Sequence, residues 1–152
     1  MSNVLPMSGT LQDGVHVYPV RVYYEDTDAA GIVYYANYLR FAERARTELL
    51  RDIGAAHEHI KAHHGIEFVV KNFAANYLQP AFLDDALVVR TTRSETKGAS
   101  ITLRQAVGRE GRELVVMQVK IAARDQKTGR AARMPSDVRA AFEQLTEEGS
   151  DV

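Results

Sequence analysis

The chain has no cysteine among its 152 residues. That single absence excludes disulfides, zinc–thiolate sites, iron–sulfur ligation and a cysteinyl acyl-enzyme. A surplus of one charge sign is missing too: 19 Lys and Arg stand against 20 Asp and Glu, a formal net charge of -1. A nucleic-acid binder would need a basic face, so no nucleic-acid partner is expected. No apolar run approaches the roughly 18 residues that cross a bilayer, and no membrane insertion is expected. Residues 1–14 lack a basic stretch followed by an apolar one, so no secretory signal is read and a cytoplasmic location is the expectation. Neither a Gly-rich phosphate loop nor a Ser-His-Asp signature is present.

What is present reads as one domain. The length allows a single core, and 45% hydrophobic with 26% charged residues is ordinary for a globular chain. Residues 1–14 read as a disordered lead-in, 15–146 as the domain and 147–152 as a frayed tail. From His16 to Tyr24, Val17, Tyr18, Val20, Val22 and Tyr24 give a strand pattern, and Pro19 points to an edge or a bulge. Asn37 is a candidate N-cap for a helix running to Ile53, where Gly54 ends it. Tyr38, Phe41, Ala42, Ala45, Leu49 and Ile53 share one helical face, widened by Leu39 and Leu50. A short His-rich segment follows from Ala55 to His64. Then Ile66–Leu78, Ala86–Glu95, Ser100–Val107 and Leu114–Arg124 read as strands, and Pro135–Leu145 as a closing helix with Ser136 or Asp137 near its cap. One strand, a broadly apolar helix and four long strands make an α+β fold with an antiparallel-dominated sheet curved around that helix.

The densest chemistry lies between the first strand and the long helix. Glu25, Asp26 and Asp28 crowd three carboxylates into one loop, and such repulsion implies that at least one is held for a reason. Ala29, Ala30 and Gly31 let backbone N–H groups come close to a ligand. A helix start adds free N–H groups and a favourable dipole for developing negative charge. A carboxylate beside such a site can attack an activated carbonyl. The same residues also fit a plainer reading, with Asp and Asn as caps and Gly as a turn.

The run from Tyr24 to Tyr38, YEDTDAAGIVYYANY, continues as Phe41-Ala42-Glu43-Arg44-Ala45-Arg46-Thr47-Glu48. It resembles the signature of the 4-hydroxybenzoyl-CoA thioesterase superfamily, and within it the YbgC-like, Tol-Pal-associated acyl-CoA thioesterases. The likeness extends from about Tyr18 through Asn76-Tyr77-Leu78-Gln79-Pro80-Ala81 to Met134-Pro135. It implies a hotdog fold, a long helix gripped by a curved antiparallel sheet. It also implies a homo-oligomer, a dimer further assembled into a dimer of dimers (a homotetramer), with the site at a subunit interface. By position in the motif Asp28 matches the family's catalytic carboxylate, and the backbone N–H near Tyr35 the group that polarises the thioester carbonyl. Gly31, Ile32, Val33, Tyr34, Asn37 and Tyr38 are then the substrate-binding candidates of the motif. YbgC-like members commonly carry histidine where this chain has Tyr35, so a proton-transfer role does not carry over, while a backbone role is independent of the side chain.

The implied substrate is an acyl-CoA, with acyl-carrier protein as an alternative carrier, and no cofactor beyond the substrate's own coenzyme A is expected. A thiol leaving group with a pKa of about 8.5 departs without a strong general acid. Coenzyme A carries phosphates, for which Lys97, Gly98 and Arg133 are the candidates, in turns that are basic or, at Lys97-Gly98, similar to one in the family. Asp26 and Glu25 read as braces of the loop, and Glu43 and Glu48 as salt-bridging positions amid Arg40, Arg44, Arg46 and Arg51. Tyr34, Tyr35, Tyr38 and Phe68 could take an aromatic acyl group or be core. His59 and His63 share a helical face, but the segment supplies no convincing further ligand, so a solvent-facing cluster and no metal are expected. A hotdog hydratase or dehydratase, or a non-catalytic binding partner, are the competing readings.

Overall fold

In the computed structural model, residues 9–148 are described. The elements are β1 (Thr10–Gln12), β2 (Val15–Arg21), a 3-10 turn (Tyr24–Asp26), α1 (Asn37–Ile53), α2 (His57–His64), β3 (Ile66–Tyr77), β4 (Ala86–Thr96), β5 (Ser100–Arg109), β6 (Arg112–Asp125) and α3 (Ser136–Phe142). Six strands form one antiparallel sheet in the order β1-β2-β4-β5-β6-β3.

The apolar period of α1 dictates how the sheet closes over it. Tyr38, Phe41, Ala42, Ala45, Leu49, Leu50 and Ile53 are all buried. They meet the inward residues of the sheet, among them Leu87, Val89, Leu103, Met117 and Val119, in one core. Leu39 lies off that face and is 39% exposed, so it does not widen the buried side as expected. The helix ends at Gly54, whose φ of 85° is the left-handed cap conformation. A curved antiparallel sheet around one long helix is the hotdog arrangement, α+β in class.

Several sequence expectations are corrected in detail. Thr10–Gln12 is not part of a disordered lead-in; it pairs with Val15–Val17 across an Asp13-Gly14 turn. Residues 1–8 lie outside the described residues. The turn has φ of 50° and 80°, the left-handed pair of a tight hairpin. At the other end Thr146–Glu148 runs beside β4, with Arg93 N–H donating to Thr146 O and Glu148 N–H to Arg93 O. Residues 147 and 148 are thus bound to β4 where a frayed tail was expected, and the rest of that tail lies outside the described residues. β1 reaches only Val17, so Pro19 sits where the outer side of β2 is no longer paired. Asn37 is not the N-cap of α1 but its first residue, after Ala36. The cap of α3 is Pro135, with Ser136 and Asp137 next to it as expected, while the helix ends at Phe142 and not at Leu145. No helix among the described residues is long and apolar enough to cross a membrane.

Candidate active site

The loop from Tyr23 to Ala36 is held by its own polar groups. Asp26 Oδ2 accepts the Tyr23 N–H at 2.8 Å, which makes Asp26 the brace of the 3-10 turn. Its carbonyl accepts both the Tyr34 N–H (2.9 Å) and the Asn37 Nδ2–H (2.8 Å). Asn37 is buried, so its amide pins the loop to the start of α1 where a cap was expected. Asp28 is exposed at the far turn of the loop. Its Oδ1 accepts the Ala30 N–H at 2.8 Å, and its carbonyl accepts the Gly31 N–H at 3.0 Å. Gly31 has a φ of 80°, a value that costs a residue with a Cβ but not glycine. Oδ2 of Asp28 makes no hydrogen bond among the described residues, so one oxygen is fixed and the other is not, and the residue lines a surface groove of about 470 Å³ together with Tyr24, Thr27 and Leu83.

At the start of α1 no side chain caps the first turn. The Tyr35 N–H donates to no acceptor among the described residues, while its carbonyl accepts the Tyr77 hydroxyl at 3.1 Å. The carboxylate loop and an uncapped helix start thus come from one short stretch of chain, fixed to each other through Asp26 and Asn37.

The four aromatic candidates do not share a pocket. Tyr34 and Tyr35 lie at the surface with ring centroids 4.8 Å apart. The side-chain hydrogen bond between the Tyr34 and Tyr35 phenols favours the protonated Tyr34 and holds it above its ordinary pKa. Tyr38 is core: it is 3% exposed and accepts the Ala81 N–H at 3.1 Å. Burial raises its phenol, which stays neutral through the physiological range. Val33 is likewise buried, with its N–H on Ala81 O, and Ile32 bridges to Phe82. The side chains of Val33, Asn37 and Tyr38, read from the motif as substrate-binding, therefore hold the loop in place.

Phe68 belongs to a different feature, a cavity of about 100 Å³ between α1, α2 and β3. Leu49, Leu50, Leu103 and Ile121 form its apolar wall, with Glu43, Arg46 and His57 as its polar lining. Glu48 pairs with Arg51 as expected, whereas Glu43 and Arg46 make no ion pair within 4 Å among the described residues. Arg46 instead donates to Gln105 Oε1 at 2.9 Å, and burial lowers its pKa. The spacing of Glu43, Arg46 and Leu50 along the helix carries this feature, but it is hidden among charges that resemble a solvated face. Loss of solvent, with Arg51 and Arg46 nearby, lowers the pKa of His57.

Lys97, Gly98 and Arg133 do come together. The Met134 N–H donates to Gly98 O at 2.9 Å, and a Cβ on Gly98 would sit 3.5 Å from an Arg133 nitrogen. They lie at the opposite end of β4 from the Asp28 loop, about 35 Å along the strand. Within one chain the basic cluster and the carboxylate are apart.

The fold and the loop have close counterparts. The profile of the Thioesterase-like superfamily matches residues 22–142. The acyl-CoA thioesterase YbgC of Haemophilus influenzae is 45% identical over 128 residues, 84% of this chain and 94% of that protein. Among solved structures, a probable thioesterase from Bartonella henselae is 35% identical with a TM-score of 0.75, covering 80% of this chain and 99% of that one. A gentisyl-coenzyme A thioesterase is 29% identical with a TM-score of 0.75, covering 83% and 98%. A match that spans the carboxylate loop, the gripped helix and every strand from β3 to β6 places the chain in the thioesterase-like superfamily.

Proposed function

We propose that the protein is an acyl-CoA thioesterase, releasing a free acid and coenzyme A, with Asp28 as nucleophile or general base. The observation that carries this is the joining of an exposed carboxylate, one oxygen tied to Ala30 N–H, to an uncapped helix start. The relatives named as acyl-CoA and gentisyl-CoA thioesterases support thioester hydrolysis as the reaction. Asp28 either takes a proton from a water whose oxygen attacks the carbonyl carbon, or attacks that carbon itself to give a mixed anhydride that water then hydrolyses to the free acid and Asp28. Either attack puts negative charge on the carbonyl oxygen. The Tyr35 N–H and the helix dipole stabilise it, an effect of roughly 3–4 kcal/mol per donor. The C–S bond then breaks and the thiolate leaves without needing an acid. The cavity beside α1 supplies apolar walls for the acyl chain, beginning about 9 Å along the helix from Asn37.

The edge of β3 supports a two-chain enzyme. β3 is the last strand of the sheet, twelve residues long, with Val70 53% exposed. A long open edge invites pairing. Antiparallel pairing with a second copy puts its Ile66 end beside Tyr77 here. That end carries Gly65, whose carbonyl holds Gln126 N–H, and so the segment leading to Arg133. Such a pair brings the second copy's Lys97–Arg133 cluster toward Asp28, where coenzyme A phosphates need cations.

The test is hydrolysis of a panel of aliphatic, benzoyl and 4-hydroxybenzoyl thioesters, read as free thiol. Wild type turns over at least one class, and Asp28→Asn loses about 10²–10⁴-fold in kcat with binding retained. A variant with near-normal turnover removes Asp28 from the mechanism.

A further inference from the structure

Four of the five histidines lie on α2. The helix buries Ile60 and leaves His59 and His63 exposed. Their spacing of four puts both on one face, and their ring centroids are 4.0 Å apart with 30° between the planes. His63 Nδ1 lies 3.0 Å from His59 O. A carbonyl only accepts, so Nδ1 carries the hydrogen and Nε2 keeps its lone pair. Histidines that ligate metals are commonly fixed in this way, the second nitrogen donating to a carbonyl.

We propose that His59 and His63 form a two-histidine site for a divalent first-row transition ion of the nickel-to-zinc group, with water completing the shell. Imidazole is the ligand these ions favour when thiolates are absent. His63 keeps its bond to the His59 carbonyl. The exposed His59 ring, with no side-chain hydrogen bond among the described residues, turns about χ2, a soft torsion in histidine, and opens the pair to admit an ion at roughly 2.0–2.1 Å from each nitrogen. The neighbouring histidines are engaged elsewhere: His64 Nε2 pairs with Asp137 Oδ2 at 3.0 Å, and His57 packs edge-on against Phe68. Because His57 also lines the cavity beside α1, an ion on α2 stiffens one wall of that cavity. Among the described residues no group of three metal-ligating side chains exists, so the pair makes an open, exchangeable site.

Zinc titrated into the full chain by calorimetry in a non-chelating buffer tests this. Wild type takes up one zinc per chain. His59→Ala and His63→Ala each weaken binding at least about tenfold, and His57→Ala leaves it unchanged. His63→Gln, with far-UV circular dichroism matched to wild type, separates loss of the ligand from loss of the helix. No uptake by wild type, equal affinity in the His59→Ala/His63→Ala double variant, or an equal loss in His57→Ala would overturn the site.

Discussion

At the scale of single residues, the motif mixes groups exposed at the surface with groups that hold the loop. Tyr38 shows the second kind. Its hydroxyl is the acceptor for the Ala81 N–H, and its ring meets Phe41 and Tyr77 edge-on at 6.0 and 5.8 Å. Tyr38→Phe keeps the ring and strands a buried N–H, so it costs about 1–3 kcal/mol. A lowered urea midpoint at unchanged slope is the expected result. An unchanged midpoint would mean that Ala81 finds another acceptor. The same substitution leaves Asp28 and the Tyr35 N–H in place, so turnover of the folded variant stays near wild type. The motif alone could not separate the two kinds of residue, because Tyr34, Tyr35 and Tyr38 are chemically alike and differ only in which side of the loop they face.

At the scale of elements, α1 was readable because its burial is periodic: Phe41, Ala42, Ala45, Leu49 and Ile53 announce one face, and Gly54 its end. The strands β3 to β6 were readable for the same reason. Their order was not, since β3 pairs with β6 and not with its successor β4, and no local pattern encodes partners as far apart as Ile66 and Asp125. β1 is not legible in the sequence although Asp13-Gly14 is a hairpin signal, because three residues give no alternation to count. Also hidden was the polar link between helix and sheet. Gln105, fully buried on β5, donates to Ala42 O (3.0 Å) and Thr91 Oγ1 (3.1 Å) and accepts from Arg46. It ties α1 to two strands and sets the guanidinium at the cavity wall. Gln105→Met keeps the volume and removes all three bonds. It is expected to lower stability by about 2–4 kcal/mol in urea denaturation, and a loss under 1 kcal/mol would mean that water or repacking replaces them.

At the scale of the whole molecule, the site described in one chain is divided. Asp28 and the helix start stand at one end of the sheet, and the basic cluster of Lys97 and Arg133 at the other. Tyr35, Tyr77, Leu78 and Phe82 are each between 45% and 62% exposed around the same end as Asp28. Together with Val70 they extend the open β3 edge into an apolar margin of the kind that marks an interface. A net charge of -1 offers little repulsion against self-association. Val70 sits within two residues of the middle of β3, where a two-fold axis brings the same position of both copies together. Val70→Glu therefore sets two carboxylates near each other on an edge that must shed water to pair. Light scattering after gel filtration is expected to find wild type as two chains or a multiple of two, and Val70→Glu as one. Val70 lies across from Ile121 at the rim of the cavity beside α1 and is half exposed in the single chain, so that chain keeps its circular dichroism, yet loses acyl-CoA hydrolysis with Asp28 untouched. If the single-chain variant remains fully active, the basic cluster of a second copy has no part in the reaction, and coenzyme A must be held by cations nearer the loop.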